Sequence, residues 1–307
     1  MRGATMVRWS DADIAELDGQ LALITGANTG IGLETARVLA RQGASVVLGC
    51  RSKERGSAAL ALLQAEMPQA KLELLVLDLA ELESVHRAVS EFSSRYAALD
   101  LLICNAGVMA PPETRTAQGL ELQFAVNHLG HFALTAALLP RLLTANQARV
   151  TVVSSGAASF GRMVFDDLQF AKRPYQAWAA YGQSKLANLL FMRGLVSRAQ
   201  GAAERLRVTA AHPGVCATEL QRHQPGMQKL PRWIAMDPWQ GALPTLRAAT
   251  DPAAESLSYF GPDGLLQMRG YPHRVSIPRA ARRDADAERL WRCSLELCGV
   301  ADPFEAV

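Results

Sequence analysis

The sequence predicts an α/β protein with a doubly wound parallel sheet, and three observations support this fold class. Short aliphatic runs that resemble buried strands begin near residues 21, 44, 72, 99, 148, 206 and 257, and helical patterns separate them. A glycine-rich turn joins the first run to the first helix. Of the 307 residues, 49% are hydrophobic and 20% are charged, which is enough to bury a large core. One domain over residues 1–307, with an N-terminal extension at 1–19, accounts for this order.

The first strand, turn and helix predict a phosphate site. The apolar run 21–25 is followed by Gly-Ala-Asn-Thr-Gly-Ile-Gly and by the helical pattern 33–40. Glycines let the backbone approach a pyrophosphate, and the N–H groups at the start of the helix favour negative charge. An ordinary loop is the alternative, because a glycine-rich turn alone is a weak signal. We expect a dinucleotide to contact Gly26, Asn28, Thr29, Gly30, Ile31 and Gly32.

The end of the second strand, residues 44–50, bears on which dinucleotide is bound. An acid about 20 residues beyond the glycines would bind the ribose 2′-hydroxyl of NAD, whereas a basic residue there accommodates the extra phosphate of NADP. Cys50 lies where the acid would be, and Arg51 follows it. The sequence therefore favours NADP(H) over NAD(H) as cofactor. The alternative is that Arg51 is only a solvated surface charge.

Two further strand ends carry residues that suit a flat cofactor. The third strand, 72–77, leads to Asp78 and Leu79. The carboxylate of Asp78 could accept a hydrogen bond from an adenine amino group, or it could cap the helix predicted at 81–96. The fourth strand, 99–104, is followed by Asn105, Ala106 and Gly107, a turn of small residues against which a cofactor could lie.

The main catalytic signal combines two hydroxyl groups with a tyrosine–lysine pair. The fifth strand, 148–155, ends in Ser154 and Ser155, and strand ends are where α/β sites lie. Tyr181 and Lys185 are four residues apart on a helix and share one face. Tyrosine titrates near pH 10, but the Lys185 ammonium and an oxidised nicotinamide would favour the phenolate. Tyr181 is therefore expected to act as an acid or base.

Asn127 is a polar residue inside an otherwise apolar helix predicted at about 119–143. If buried, its carboxamide needs a hydrogen-bond partner, which a neighbouring backbone group could supply. His128 and His131 are three residues apart and could share a metal ion. No nearby third ligand is evident, so the sequence predicts no metal site.

Residues 219–240 combine apolar side chains with repeated proline residues. Such a segment suits a mobile lid over a lipophilic substrate. A packed loop or a contact between subunits would show the same composition.

Composition excludes several classes of partner and site. Lysine and arginine number 32 and aspartate and glutamate 29, without a dense basic run, so nucleic acid is not expected as a partner. The charged residues within 1–19 leave no apolar run long enough for a signal peptide or membrane anchor. Five scattered cysteines argue against a disulfide framework. The expected location is the cytoplasm, where thiols stay reduced.

Several motifs, in order from about residue 19 to 260, resemble the short-chain dehydrogenases/reductases: Thr-Gly-x-x-x-Gly-x-Gly, Asn-Ala-Gly, Tyr-x-x-x-Lys and Pro-Gly-x-x-x-Thr. Val-Asn-His-Leu-Gly-His-Phe and Ser-Lys-Leu-Ala-Asn-Leu-Leu-Phe are similar to the subgroup of retinol dehydrogenases and protochlorophyllide reductases. The resemblance implies a Rossmann fold with a seven-stranded parallel sheet in the order 3-2-1-4-5-6-7 and helices on both faces.

The resemblance also implies roles for individual residues. Pro213, Gly214 and Thr218 would lie beside the nicotinamide. Lys185 would bind the nicotinamide ribose, and Asn127 would hold a water molecule that passes protons to it. Ser155 matches the family's serine position better than Ser154 and would donate a hydrogen bond to the substrate oxygen, which Tyr181 protonates.

The expected activity is hydride transfer between NADP(H) and a lipophilic aldehyde or ketone, or the corresponding alcohol. A non-catalytic NADP(H)-binding redox sensor or partner-binding protein is the alternative from another class. A sugar-nucleotide epimerase or dehydratase is a weaker one, because those relatives usually show Thr-Gly-x-x-Gly-x-x-Gly. A homo-oligomer fits the resemblance, since helices around Asn127 and Tyr181 form dimer contacts in many relatives.

Overall fold

The computed structural model describes residues 8–202, 204–217, 220 and 235–305. Within them, the strands form an eight-stranded sheet in the order β3-β2-β1-β4-β5-β6-β7-β8. The strands are β1 (Leu21–Thr25), β2 (Ser45–Cys50), β3 (Leu72–Val76), β4 (Leu101–Cys104), β5 (Ala148–Val153), β6 (Leu206–Ala211), β7 (Tyr259–Pro262) and β8 (Pro272–Arg274).

Helices cover both faces of the sheet and connect most of the parallel strands. The predicted helix at 119–143 is interrupted, because a π-helical segment (Ala125–Leu129) separates a short helix from a long one. The helices are α1 (Gly30–Arg41), α2 (Lys53–Glu66), α3 (Leu82–Arg95), α4 (Leu122–Phe124), α5 (Gly130–Thr144), α6 (Ala177–Arg198), α7 (Pro238–Thr250) and α8 (Asp284–Cys298).

The sheet confirms the doubly wound Rossmann fold and the predicted strand order 3-2-1-4-5-6-7. Strands β1 to β7 pair in parallel, and Leu23 of β1 lies between Val47 and Leu102 of its two neighbours. The predicted number of seven strands was wrong by one, because β8 pairs antiparallel with β7. β8 has three residues and begins at Pro272, so it is too short to show an alternating pattern, and its proline suits a sheet edge.

Two apolar layers enclose the sheet. Leu23 packs into one layer with Phe132 and Leu190 from α5 and α6, whereas Ile24, the next residue, packs into the other with Leu39 from α1. Every residue of β1 is buried, as expected for a parallel strand that is covered on both faces. The two layers fix the carboxyl ends of the strands, where the predicted site residues lie.

Some predicted segments are described only in part. The N-terminal extension is described from residue 8, and its Ile14 and Leu17 are buried. Of the predicted lid at 219–240, the structure describes Leu220 and residues 235–240, and the remainder lies outside the described residues. None of the helices in the described ranges combines the length and the apolar character needed to cross a membrane.

Candidate active site

A cleft opens at the carboxyl ends of the strands, where β1 and β4 lie side by side and the strand order reverses. This switch point is where ligands bind in open α/β sheets. The cleft is lined by most of the predicted site residues: Gly26, Asn28, Thr29, Gly30, Ile31, Gly32, Arg51, Asp78, Leu79, Asn105, Ala106, Gly107, Tyr181, Lys185 and Pro213.

The glycine-rich turn has a conformation that needs its glycines. Gly26 and Gly30 have φ values of +67° and +55°, in the left-handed region that side chains disfavour. A Cβ atom on Gly32 would lie 2.3 Å from the carbonyl oxygen of Gly26. Thr29 precedes α1 without a side-chain cap. The turn therefore leaves a cradle of backbone groups at a helix N-terminus, and this fits the pyrophosphate of a dinucleotide.

Thr25, which the sequence analysis did not identify, fixes the loop after β4 against this turn. Its Oγ1 accepts hydrogen bonds from the N–H groups of Asn105 and Ala106, both at 2.9 Å. The Asn105 side chain donates back to the Thr25 carbonyl at 2.8 Å. Thr25 could have been found in the sequence, because it is a polar residue at the end of an otherwise apolar strand.

The end of β2 presents two arginine side chains to the cleft. Arg51 and Arg55 both line it, together with Ser52, whose Oγ accepts a hydrogen bond from the Arg55 N–H at 3.2 Å. Arg55 was missed, although it lies one helical turn after Arg51. Burial raises the pKa of Cys50 to about 11, so the thiol is neutral where an NAD-binding acid would stand.

Asp78 lies beside the cleft without capping the next helix. Its Oδ1 accepts a hydrogen bond from the Ala80 N–H at 2.9 Å, whereas α3 begins at Leu82, with Glu81 in the cap position. The Asp78 N–H donates to Ser84 Oγ at 3.0 Å, which holds the turn in place. The capping alternative is therefore wrong for α3, and the carboxylate stays at the cleft wall.

Helix α6 carries the tyrosine and lysine of the predicted catalytic set. Tyr181 and Lys185 are both buried, and the Lys185 Nζ lies 5.8 Å from the centroid of the Tyr181 ring. Lys185 Nζ donates a hydrogen bond to the Val153 carbonyl at 3.1 Å. The end of β5 thereby fixes the ammonium group next to the tyrosine.

Burial dominates the titration of this pair. It raises the pKa of Tyr181 to about 12, and a hydrogen bond with Ser155 opposes the rise. It lowers the pKa of Lys185 to about 8. Burial of the hydroxyl, which the sequence analysis did not weigh, therefore acts against the phenolate. Tyr181 is a neutral phenol at pH 7, a form that can donate a proton.

The two serines at the end of β5 have different surroundings. Ser155 forms the hydrogen bond with Tyr181, and its Oγ also accepts from the Ala157 N–H at 3.2 Å. Ser154 lines the cleft, but its Oγ donates to the Lys185 carbonyl at 2.7 Å. Ser155 therefore acts on the titration of the Tyr181 hydroxyl, whereas Ser154 has a structural hydrogen bond to α6.

Asn127 lies behind the cleft, fully buried in the π-helical segment. Its Oδ1 accepts from the Val108 N–H at 2.8 Å, and its Nδ2 donates to the Val108 carbonyl at 3.0 Å and to Ser184 Oγ at 2.9 Å. A Cβ atom on Gly107 would lie 3.1 Å from Asn127 Oδ1 and 3.4 Å from Lys185 Nζ. Asn127 thus ties the loop after β4 to α6, and the backbone groups of Val108 supply two of its three hydrogen bonds.

The loop after β6 closes the far end of the cleft. Pro213 lines the cleft, and Gly214 has a φ value of +70° that favours glycine. A Cβ atom on Gly214 would lie 2.5 Å from the Met268 carbonyl, which accepts a hydrogen bond from the Val215 N–H at 2.7 Å. Thr218 lies outside the described residues.

An apolar cluster borders Tyr181 at the mouth of the cleft. It contains Met109, Ala157 and Tyr181, and Leu220 packs against it. The ring of Trp178, 40% exposed, meets the Tyr181 ring edge to face at a centroid distance of 5.9 Å. The sequence analysis missed this wall, because its members come from three separate connections.

His128 and His131, three residues apart, have different hydrogen-bond partners. His128 Nε2 contacts Ser294 Oγ on α8 at 2.8 Å, whereas His131 contacts Thr25 and Asn127. Across the part of the chain that the structure describes, no group of three or more histidine, cysteine, aspartate or glutamate side chains could hold a metal ion.

Comparisons with known proteins agree with this geometry. The family model for short chain dehydrogenases matches residues 20–229. Human retinol dehydrogenase 12 is 40% identical over 289 residues, which cover 93% of this chain and 88% of the human one. Bovine dehydrogenase/reductase SDR family member 13 is 42% identical over 305 residues, which cover 95% of this chain and 77% of that protein.

Solved structures of similar sequence have the same fold. A crystal structure of an uncharacterised protein from Mycobacterium paratuberculosis is 38% identical and superposes with a TM-score of 0.81, covering 96% of this chain and 99% of that one. A short chain dehydrogenase from Shigella flexneri in complex with NADP is 25% identical, with a TM-score of 0.64 and coverage of 80% and 97%. The chain belongs to the short-chain dehydrogenase/reductase family, in its retinol dehydrogenase-like subgroup, and is an NAD(P)-dependent oxidoreductase that acts on alcohol and carbonyl groups.

Proposed function

We propose that this enzyme transfers a hydride between NADP(H) and a lipophilic aldehyde or ketone, or the corresponding alcohol. The observation that carries the proposal is a buried Tyr181 between a nucleotide cleft and an apolar wall, with burial keeping its hydroxyl neutral. A proton donor at this position suits the reduction of a carbonyl group.

The preference for NADP(H) rests on the charges at the end of β2. Arg51 and Arg55 line the cleft where the adenosine ribose lies in this fold, and Cys50 is a neutral thiol. Arginine is suited to phosphate because its planar guanidinium presents several donors. An NAD-specific site would have a carboxylate here, and the two arginines would not be needed.

The residues of the cleft fit a bound dinucleotide along its whole length. The glycine turn would hold the pyrophosphate, Asp78 and Leu79 would face the adenine, and residues 105–107 would pack against the cofactor. Lys185 would bind the nicotinamide ribose. Pro213 and Gly214 would lie beside the nicotinamide, and Thr218, outside the described residues, belongs to the same proposal. The nicotinamide supplies the hydride.

Tyr181, Ser155 and Lys185 would handle the proton. Tyr181 Oη would donate its proton to the oxygen that becomes an alkoxide, while Ser155 Oγ would donate a hydrogen bond to the same oxygen. The nearby Lys185 ammonium would stabilise the tyrosinate that remains. Asn127 would hold the water that returns a proton to Lys185.

The substrate class follows from the apolar wall. Met109, Ala157, Trp178 and Leu220 offer carbon surface and an aromatic face beside Tyr181, which suits a long or ring-containing hydrocarbon. Because its relatives include retinol dehydrogenases, a retinoid or other isoprenoid aldehyde is the first substrate to test. The lid predicted at 219–240 would cover this substrate.

The proposed location is the cytoplasm, and the support is chemical. In the described part of the chain none of the five cysteines forms a disulfide, and four of them are buried, which fits a compartment that keeps thiols reduced.

The test is consumption of NADPH and, separately, of NADH by the purified protein with aliphatic, aromatic and isoprenoid aldehydes and ketones. We expect turnover with NADPH to exceed that with NADH and to be highest with a bulky apolar carbonyl compound. Tight NADPH binding without turnover of any compound would instead favour the non-catalytic sensor. Faster turnover with NADH would contradict the role of the two arginines.

A further inference from the structure

His131, a buried histidine at the start of α5, joins two parts of the site. The side chain is 1% exposed. Its Nε2 lies 2.8 Å from Thr25 Oγ1, at the end of β1, and its Nδ1 lies 3.0 Å from the carbonyl oxygen of Asn127. The imidazole thus bridges the strand that leads into the glycine turn and the π-helical segment.

The other hydrogen bonds of Thr25 Oγ1 show whether it donates to His131 Nε2 or accepts from it. Thr25 Oγ1 accepts hydrogen bonds from the N–H groups of Asn105 and Ala106, so both of its lone pairs are used. Its single proton can go to the Ile103 carbonyl at 3.4 Å or to His131 Nε2 at 2.8 Å, and the shorter contact is the stronger. His131 therefore accepts at Nε2 and donates from Nδ1.

The charge state of the ring agrees with this assignment. Burial lowers the pKa of His131 to about 4, the charge on Lys185 acts in the same direction, and the hydrogen bond to Asn127 opposes both. The imidazole is neutral at pH 7, so only one of its nitrogens carries a proton. One polar chain runs from the loop after β4 through Thr25 and His131 to the Asn127 carbonyl.

Asn127 links this chain of hydrogen bonds to residues of α6. Its carboxamide holds Val108 on one side and Ser184 on the other, and Ser184 Oγ donates to the Tyr181 carbonyl at 2.8 Å. Gly107 lies between Asn127 Oδ1 and Lys185 Nζ. A rotation of the Asn127 backbone would therefore shift the positions of both Tyr181 and Lys185.

We propose that His131, as its Nδ1–H tautomer, is a positioning residue that anchors the Asn127 carbonyl to Thr25 and thereby keeps Tyr181 and Lys185 in register with the cofactor cleft. The inference rests on the proposed function for its kinetic consequence. Its structural part, the tautomer and its two partners, does not depend on activity.

The structural part is tested by NMR on protein labelled with ¹⁵N-histidine, without cofactor, with His131→Gln used to assign the signals. We expect the His131 ring to be neutral and protonated at Nδ1 at pH 7. An Nε2–H tautomer or an imidazolium ring would overturn the proposal. A Thr25→Ser protein keeps the hydroxyl and should leave the tautomer unchanged.

The kinetic part compares two substitutions at the same position. His131→Leu removes both hydrogen bonds, and we expect kcat to fall about 30-fold, while the Kd for NADPH stays within about threefold of wild type. His131→Gln can present an oxygen to Thr25 and an N–H to Asn127, so it should recover most of kcat. A purely structural role would lower the amount of folded enzyme without this separation of kcat from cofactor binding.

His128→Leu is the matched control, because His128 is equally buried but bonds to Ser294 on α8. We expect its kcat per folded molecule to stay within about twofold of wild type. Wild-type kcat in folded His131→Leu would overturn the positioning role. If His131→Leu does not fold, the Gln variant and the NMR result still decide. Failure of the proposed function would look different, because wild-type protein itself would turn over none of the compounds.

Discussion

The nucleotide half of the cleft is formed mainly by backbone groups, whereas the substrate half is formed by side chains. The nucleotide half, at the ends of β1, β2 and β4, is mainly backbone, set by glycines whose missing Cβ atoms leave the space. The substrate half is made of side chains from the loops after β4 and β5 and from the start of α6. A backbone cradle tolerates few substitutions, whereas an apolar wall can change residue by residue. Cofactor chemistry and substrate choice are therefore separable in this fold.

The most severe test of this contrast is Gly32→Ala. The added Cβ would lie 2.3 Å from the Gly26 carbonyl oxygen and 2.5 Å from Asn105 Nδ2, so the turn must move. We expect the Kd for NADPH to rise at least ~100-fold in a fluorescence titration, because backbone contacts to the phosphates are lost. Gly201→Ala, where a Cβ would meet nothing within 4 Å, is the control and should bind normally. Normal binding by Gly32→Ala would contradict the backbone cradle.

Lys185 lies where the halves meet, and its titration gives a prediction about stability. Burial lowers its pKa to about 8, so between pH 8 and 10 the unfolded chain binds more protons than the folded one. The free energy of unfolding then rises with pH through this residue. Between pH 7 and 10, the free energy of unfolding of the wild-type protein should rise by about 2 kcal/mol more than that of Lys185→Met. The measurement is urea unfolding without cofactor.

Because both proteins share every other titrating group, the difference between their two curves isolates Lys185. Parallel curves would show that the lysine does not titrate in this range.

Arg51→Ala and Arg55→Ala test the nucleotide half alone, because these side chains would contact the 2′-phosphate, which NADH lacks. Each substitution should raise the Kd for NADPH about tenfold and leave the Kd for NADH within about twofold. Arg87→Ala, on the exposed surface of α3, serves as the control. Equal weakening of both cofactors would mean that the arginines act on something other than that phosphate.

Trp178→Ala should have the smallest effect, and only on the substrate half. The side chain is partly exposed, so we expect the KM for a bulky apolar aldehyde to rise about fivefold, with no change for a short one. Trp239→Ala removes a tryptophan of similar exposure beside Asp11, and should change neither value. An equal rise for short and long substrates would place Trp178 outside the substrate wall.

The sequence predicted the parts of the molecule that depend on local patterns. The order of β1 to β7 followed from strand–helix alternation and the family motifs, and the glycine turn followed from spacing. β8 was missed because three residues with a proline carry no periodic signal. The interruption of the helix at Ala125–Leu129 was missed because a π-helical segment keeps helical composition.

The missed site residues depend on contacts between distant segments. Thr25, His131 and the apolar wall have partners far away in sequence, so no spacing rule reveals them. The pKa of Tyr181 was argued from the charges of Lys185 and an oxidised nicotinamide, whereas burial, which only the fold sets, raises it. The roles assigned to Ser155, Asn127 and the cofactor residues stay predictions.

The central claim is that Tyr181 donates the proton in carbonyl reduction, and Tyr181→Phe tests it most directly. The substitution removes one hydroxyl and leaves the ring, which packs against Trp178, in place. We expect kcat with NADPH and the best carbonyl substrate to fall about 10³-fold, while the Kd for NADPH stays within about threefold. Turnover at the wild-type rate would contradict the account.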